Sequence, residues 1–181
     1  MRLFTAIDLP PGIVERLGDQ IARWKPHAQL RWSRVENLHI TTKFIGEWPE
    51  NRIGELKNAL NAVPRLGPFP VSLRSLGWFP NPHSPRIFWI SVQGGEALRT
   101  LASAIDTSLE PLGIALEKRP YTPHLTLARV DPGDHIAELR RQVAQLPQTD
   151  WGSFEAQAFH LYESRPGPSG SIYSRLHSVS L

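Results

Sequence analysis

A short pattern occurs twice in this chain, and few architectures accommodate both copies. The first is His39-Ile40-Thr41-Thr42, within Asn37 to Phe44; the second is His124-Leu125-Thr126-Leu127, within Thr122 to Arg129. Each runs His, aliphatic residue, Thr. In a β-strand, residues i and i+2 share a face while i+1 points away. Each copy therefore presents an imidazole beside a hydroxyl and turns Ile40 or Leu125 toward a core. Two such strands facing each other would place two His and two Thr around one small polar group, a general acid–base set that needs no metal.

The segments around the motifs repeat the same order. Leu3 to Leu9 reads as a strand, and Gly12 to Trp24 as a helix with Ile13, Leu17, Ile21 and Trp24 on one face and Pro11 in its first turn. A short strand at Leu30 to Val35 precedes the motif strand Leu38 to Ile45, which Gly46 should stop. A helix over 52–62 and a strand over 69–76 complete the first half. The second half reads as the strand 86–92, the helix 96–109 and the motif strand 125–130, then a helix to about Leu146 with Asp134 as its cap. One or two strands over 151–163, a Gly/Pro/Ser loop over 164–170 and a closing strand over 171–179 finish the chain. Both motifs thus occupy equivalent places in two halves, which implies an internal duplication. The Pro-rich stretch Gly77 to Pro85 is the expected link between the lobes. Mixed strand and helix order predicts an α+β fold with antiparallel sheets rather than a doubly wound parallel sheet.

Composition removes several chemistries. There is no Cys among the 181 residues, which excludes thiol nucleophiles, thiolate metal sites and disulfides and fits a reducing compartment. Gly94-Gly95 lacks the partners of a phosphate-binding glycine loop. The N-terminal apolar run is too short for a signal peptide and no stretch approaches a membrane span, so the expectation is a cytoplasmic protein. Net charge is +3, carried mostly by Arg, whose planar fork suits phosphate.

On these motifs and their flanks the chain resembles the 2H phosphoesterase family, in particular its bacterial and archaeal RNA 2′,3′-cyclic phosphodiesterases, also called 2′-5′ RNA ligases. The flanks are Arg2-Leu3-Phe4, Ile7-Asp8-Leu9-Pro10, Phe44-Ile45-Gly46-Glu47, Leu161-Tyr162-Glu163-Ser164 and Gly170-Ser171-Ile172-Tyr173. Thr42 departs from the aliphatic residue common in the family, at a position facing away from the site. The resemblance implies one bilobal domain over 1–181, with pseudo-two-fold symmetry and a cleft between lobes that each contribute one motif strand. It implies hydrolysis of RNA 2′,3′-cyclic phosphate ends to 2′-phosphate ends, tRNA fragments being one candidate substrate, with His39 as proton donor to the leaving 3′-oxygen and His124 as proton acceptor from water. Run backward with a 5′-hydroxyl, the same site would join RNA ends through a 2′-5′ linkage.

The oxygens of the phosphate would be held by Thr41 and Thr126. Strict alternation puts Lys43 on the face of His39 and Thr41, as a phosphate contact or as a solvated strand-end Lys. It puts Arg129 on the far face, yet the family places a phosphate-binding Arg here, and a bulge would bring it round. Phe4 and Trp78-Phe79 are base-stacking candidates for which core packing is the commoner fate. No cofactor and no metal are expected, and a cleft built within one chain needs no second copy. Three alternatives stay open: a metal held by His39 and His124, a module that binds RNA ends without catalysis, and the same chemistry on a 2′-5′ oligoadenylate or a cyclic ADP-ribose phosphate.

Overall fold

The structure is a computed structural model describing residues 1–146, 150–168 and 170–181. Its strands are β1 (Arg2–Asp8), β2 (Arg31–Trp32), β3 (His39–Glu47), β4 (Phe69–Phe79), β5 (Ile87–Gln93), β6 (His124–Arg129), β7 (Gly152–Ala156), β8 (Ala158–Gly167) and β9 (Gly170–Ser180); its helices are α1 (Pro11–Trp24), α2 (Ile53–Asn61), α3 (Gly95–Leu109) and α4 (Ala137–Gln145). The strands form two sheets, ordered β3-β1-β8-β9 and β2-β6-β5-β4-β7. Every pairing is antiparallel, giving the expected α+β, two-lobed architecture.

The two lobes are not the two halves of the chain. β1 pairs with motif strand β3, and β5 with motif strand β6, so each motif strand has one partner from its own half. Other strands are exchanged: β2 and β4 join the sheet of β5 and β6, and β8 and β9 join the sheet of β1 and β3. The helices cross as well. Trp24 of α1 meets Phe88 of β5 and Trp151 edge-on, at 5.4 and 5.7 Å, so α1 covers the second sheet. Lys43 of β3 pairs with Asp106 of α3, so α3 lies on the first. The result is a single connected apolar core.

This exchange corrects the reading of residues 77–85 as an inter-lobe link. They close a hairpin between β4 and β5, neighbours in one sheet, with Arg86 N–H donating to Phe79 O. Gly77 belongs to β4, where the Trp89 ring lies so close that a Cβ would sit 2.5 Å from it. Asp134 is likewise not the cap of α4; its carboxylate accepts from Asp131 N–H at 2.7 Å and closes the preceding turn. Gly46 does not stop β3, which runs to Glu47 through a positive φ of 85° at that glycine. The loop expected over 164–170 is mostly strand on both sides of a tight hairpin, with Ser169 outside the described residues.

Both motif strands carry the same irregularity. Between β1 and β3 the register passes from Thr5 opposite Lys43 to Ala6 opposite Thr41, leaving Thr42 unpaired. Between β5 and β6 it passes from Phe88 opposite Ala128 to Trp89 opposite Thr126, leaving Leu127 unpaired. Each is a one-residue bulge that resets the alternation beyond it. Thr42 is buried, its hydroxyl satisfied by that of Thr5 at 2.7 Å.

Behind the first bulge Lys43 is buried and salt-bridged to Asp106, and donates to Ala115 O at 2.7 Å. Asp106 also accepts from Glu117 N–H at 2.9 Å. Removing one member of such a pair leaves the other charge uncompensated. Lys43→Met is expected to lower unfolding free energy by about 3 kcal/mol in urea titration. Arg99→Ala, which breaks an exposed pair with Glu96, should leave the midpoint in place.

Candidate active site

The two bulges decide which side chains reach the cleft between the sheets. His39 and Thr41 face it from β3, His124 and Thr126 from β6. Beyond the bulges, Phe44 and Arg129 turn into the same cleft while Lys43 and Ala128 turn into the core. The placement of Lys43 beside the phosphate is thereby overturned: strict alternation failed at Thr42, and the ammonium is spent on Asp106. The same irregularity brings Arg129 to the cleft against the parity of its strand.

Both imidazoles are oriented by one device. His39 Nδ1 lies 2.6 Å from Asn37 O and His124 Nδ1 lies 2.8 Å from Thr122 O, the carbonyl two residues upstream in each case. A carbonyl only accepts, so each Nδ1 carries the proton and Nε2 is left for a ligand. In the neutral ring, His39 Nε2 accepts from the Thr41 hydroxyl at 3.1 Å. Phe4 and Tyr173 pack on the His39 ring at 4.8 and 5.3 Å between centroids, and Phe79 and Trp89 approach His124 at 6.0 and 6.3 Å.

One tie joins the motif strands directly, and a second extends the β2–β6 ladder into the segment leading to His39. Tyr121, three residues before His124, donates its hydroxyl to Thr41 O at 2.8 Å. Ser33, in the segment leading to His39, donates its hydroxyl to Thr126 O at 2.9 Å and its N–H to Leu127 O at 2.8 Å. Burial pushes the Tyr121 phenol far above its ordinary range, so it stays a donor.

The cleft has a volume of about 510 Å³. Its walls carry Arg2, Arg31, Arg34 and Arg129 and no carboxylate among the described residues. Arg31 is held by Asp131 at 2.6 Å and Arg34 by Glu36, whereas no carboxylate among the described residues pairs with Arg2 or Arg129. An anionic ligand suits this field. No three His, Cys, Asp or Glu side chains cluster as a metal site among the described residues.

Burial pushes the His39 imidazole below its ordinary value, and the positive field of His124 acts in the same direction; the Asn37 carbonyl and the Asp8 carboxylate oppose it. Asp8 is the register partner of His39 across β1 and β3. Its carboxylate is held by the Tyr162 hydroxyl at 2.7 Å and by Arg175. Sequence reading missed Tyr121 and Ser33, whose partners are backbone atoms distant in sequence. It also missed Phe44, although the duplication sets that residue at the place in its motif that Arg129 holds in the other.

The His39 ring should titrate below 6.5 in an NMR pH series. Asp8→Asn removes a charge that favours the imidazolium, so its midpoint should move lower still. An unchanged midpoint in that variant would mean that solvent screens Asp8 from the ring.

The profile of the 2′-5′ RNA ligase superfamily matches residues 10–168. The chain is 36% identical over 176 residues to the RNA 2′,3′-cyclic phosphodiesterase of Methanocaldococcus jannaschii, covering 96% of each protein. It is 33% identical to the protein of the same name from Aeropyrum pernix, covering 93% of this chain and 94% of that one. Among solved structures, TT0787 of Thermus thermophilus superposes with a TM-score of 0.81 at 29% identity, covering 100% of this chain and 98% of the other. E. coli LigT complexed with 3′-AMP superposes with a TM-score of 0.79 at 27% identity, covering 99% and 97%. A profile spanning most of the chain, with both histidines inside it, decides the classification: this chain belongs to the 2′-5′ RNA ligase superfamily.

Proposed function

We propose that this chain hydrolyses RNA 2′,3′-cyclic phosphate ends to 2′-phosphate ends, using two histidines and no metal. The observation that carries the reading is the matched pair of imidazoles, each with Nδ1 committed to a backbone carbonyl, facing one arginine-lined cleft without a carboxylate. The names of the curated relatives support the same substrate class.

In the proposed step, water attacks phosphorus and gives its proton to His124 Nε2 as the new P–O bond forms. The P–O3′ bond breaks, and His39 Nε2 delivers its proton to the departing 3′-oxygen. The 2′-oxygen keeps the phosphate. Thr41, Thr126 and Arg129 hold the remaining phosphoryl oxygens, where charge accumulates in the transition state. His39 must be protonated to act as the acid, and its burial opposes this. A cyclic phosphate anion in the cleft would favour the imidazolium, so substrate would raise the proton affinity of its own acid. With an RNA 5′-hydroxyl as nucleophile in the reverse direction, the same groups would form a 2′-5′ linkage.

The cleft is complete within one chain, and we propose a monomer acting in the cytoplasm. The absence of Cys fits that compartment. No helix among the described residues is long and apolar enough to cross a membrane.

The test is a short RNA ending in a 2′,3′-cyclic phosphate, incubated with the protein and excess chelator, with the product end mapped. A 2′-phosphate end is expected. His39→Ala and His124→Ala should each lower kcat by at least about a hundredfold. Loss of wild-type turnover on chelation would overturn the metal-free mechanism, and full activity of either variant would overturn the role of that imidazole.

A further inference from the structure

Asn37 holds more than the carbonyl that receives His39 Nδ1–H. Its N–H donates to Arg34 O at 2.9 Å, at the end of a short 3₁₀ turn over Val35–Asn37, and its side-chain amide donates to Ser171 O at 2.6 Å. Ser171 is 134 residues away in sequence and belongs to β9, the far edge of its sheet, with β8 and β1 between it and β3. Neighbouring strands stand about 4.8 Å apart, so this bond is made across the cleft face of the sheet and not along its ladder.

Three alternate residues of β9 reach the surroundings of His39. Ser171 accepts from Asn37, Tyr173 stands edge-on to the His39 ring at 5.3 Å, and Arg175 pairs with Asp8, the register partner of His39. Alternation puts these three residues on one face of the strand. The second motif repeats the carbonyl but not the amide. Thr122 stands two residues before His124, as Asn37 does before His39, and its hydroxyl turns back to Pro120 O at 3.4 Å. The side-chain tie from the residue two places upstream to a distant strand is therefore particular to His39.

We propose that Asn37 is a positioning residue for His39: its amide docks β9, and the docked strand steadies both the peptide that holds Nδ1 and the Tyr173 edge that abuts the ring. This rests on the function proposed above, in which His39 must aim Nε2 at the departing 3′-oxygen. Without the amide bond the peptide after Asn37 is free to turn, Nδ1 loses a fixed acceptor, and the neutral ring exchanges between its two tautomers. Substrate still enters the cleft, so the loss falls on kcat and not on KM.

Nitrogen-15 spectra of the imidazoles, recorded above their titration, and kinetics on the cyclic-phosphate RNA test this in the wild type, Asn37→Ala and Asn37→Asp. The second variant keeps the shape of the side chain and, ionised, lacks the donor. The wild type should show His39 as a single Nδ1–H tautomer. Both variants should show a mixture at His39 with His124 unchanged, and kcat about tenfold lower with KM within about twofold. A single His39 tautomer in both variants, an equal change at His124, or a loss confined to KM would overturn the role of Asn37. The tautomer is read without substrate, so the failures separate. A wild type that leaves cyclic phosphate ends intact while the spectra change as expected would refute the proposed reaction and keep the brace on His39. Turnover by the wild type with full activity in both variants would do the reverse.

Discussion

Two hydroxyl groups anchor the approaches to the two motif strands. Tyr121 reaches from the segment before the second motif to the Thr41 carbonyl, and Ser33 reaches from the segment before the first motif to the Thr126 carbonyl. Each tie contributes only about 1 kcal/mol net to stability. Their weight lies in geometry, because a displacement of about 1 Å between reacting groups costs roughly a hundredfold in rate. Each tie ends on the carbonyl of a cleft-facing Thr, and the Tyr121 tie spans the two sheets. The Lys43–Asp106 pair adds a third restraint, since Lys43 also grips Ala115 in the segment that leads to Tyr121.

The paired bulges explain both what the sequence revealed and what it hid. His39 with Thr41, and His124 with Thr126, stand before the bulges, and there simple alternation holds. Lys43, Phe44 and Arg129 stand after them, and there it reverses. A bulge is a property of two strands, visible only when the partner register is known. Nothing in Thr42 or Leu127 alone marks an extra residue. The repeated motif did carry a usable signal, because aligning its two copies sets Phe44 beside Arg129, and a family expectation existed for one of the two. The fold class was legible for a simpler reason: α1 and β1 have strong local periodicity and clear proline boundaries. The strand exchange was not, since β4 and β8 read identically whichever sheet receives them, and a hairpin loop rich in proline looks like a linker.

A duplicated fold tends to make a two-fold site, and such a site would accept its substrate in two opposed orientations. Hydrolysis that leaves only a 2′-phosphate needs one. The structure breaks the symmetry at two corresponding pairs of positions. Opposite His39 stands Asp8, and opposite His124 stands Ser91. Beyond the bulges stand Phe44 and Arg129. The Asp8 carboxylate works against the burial that pushes the His39 imidazole down, and Ser91 brings no charge to the other motif. Phe44 gives one wall of the cleft an apolar ring where Arg129 gives the other a guanidinium. These differences act together: one changes the charge beside one imidazole only, the other sets an apolar ring against a cation. The asymmetry of the site thus rests on a few side chains at corresponding positions around the two motifs.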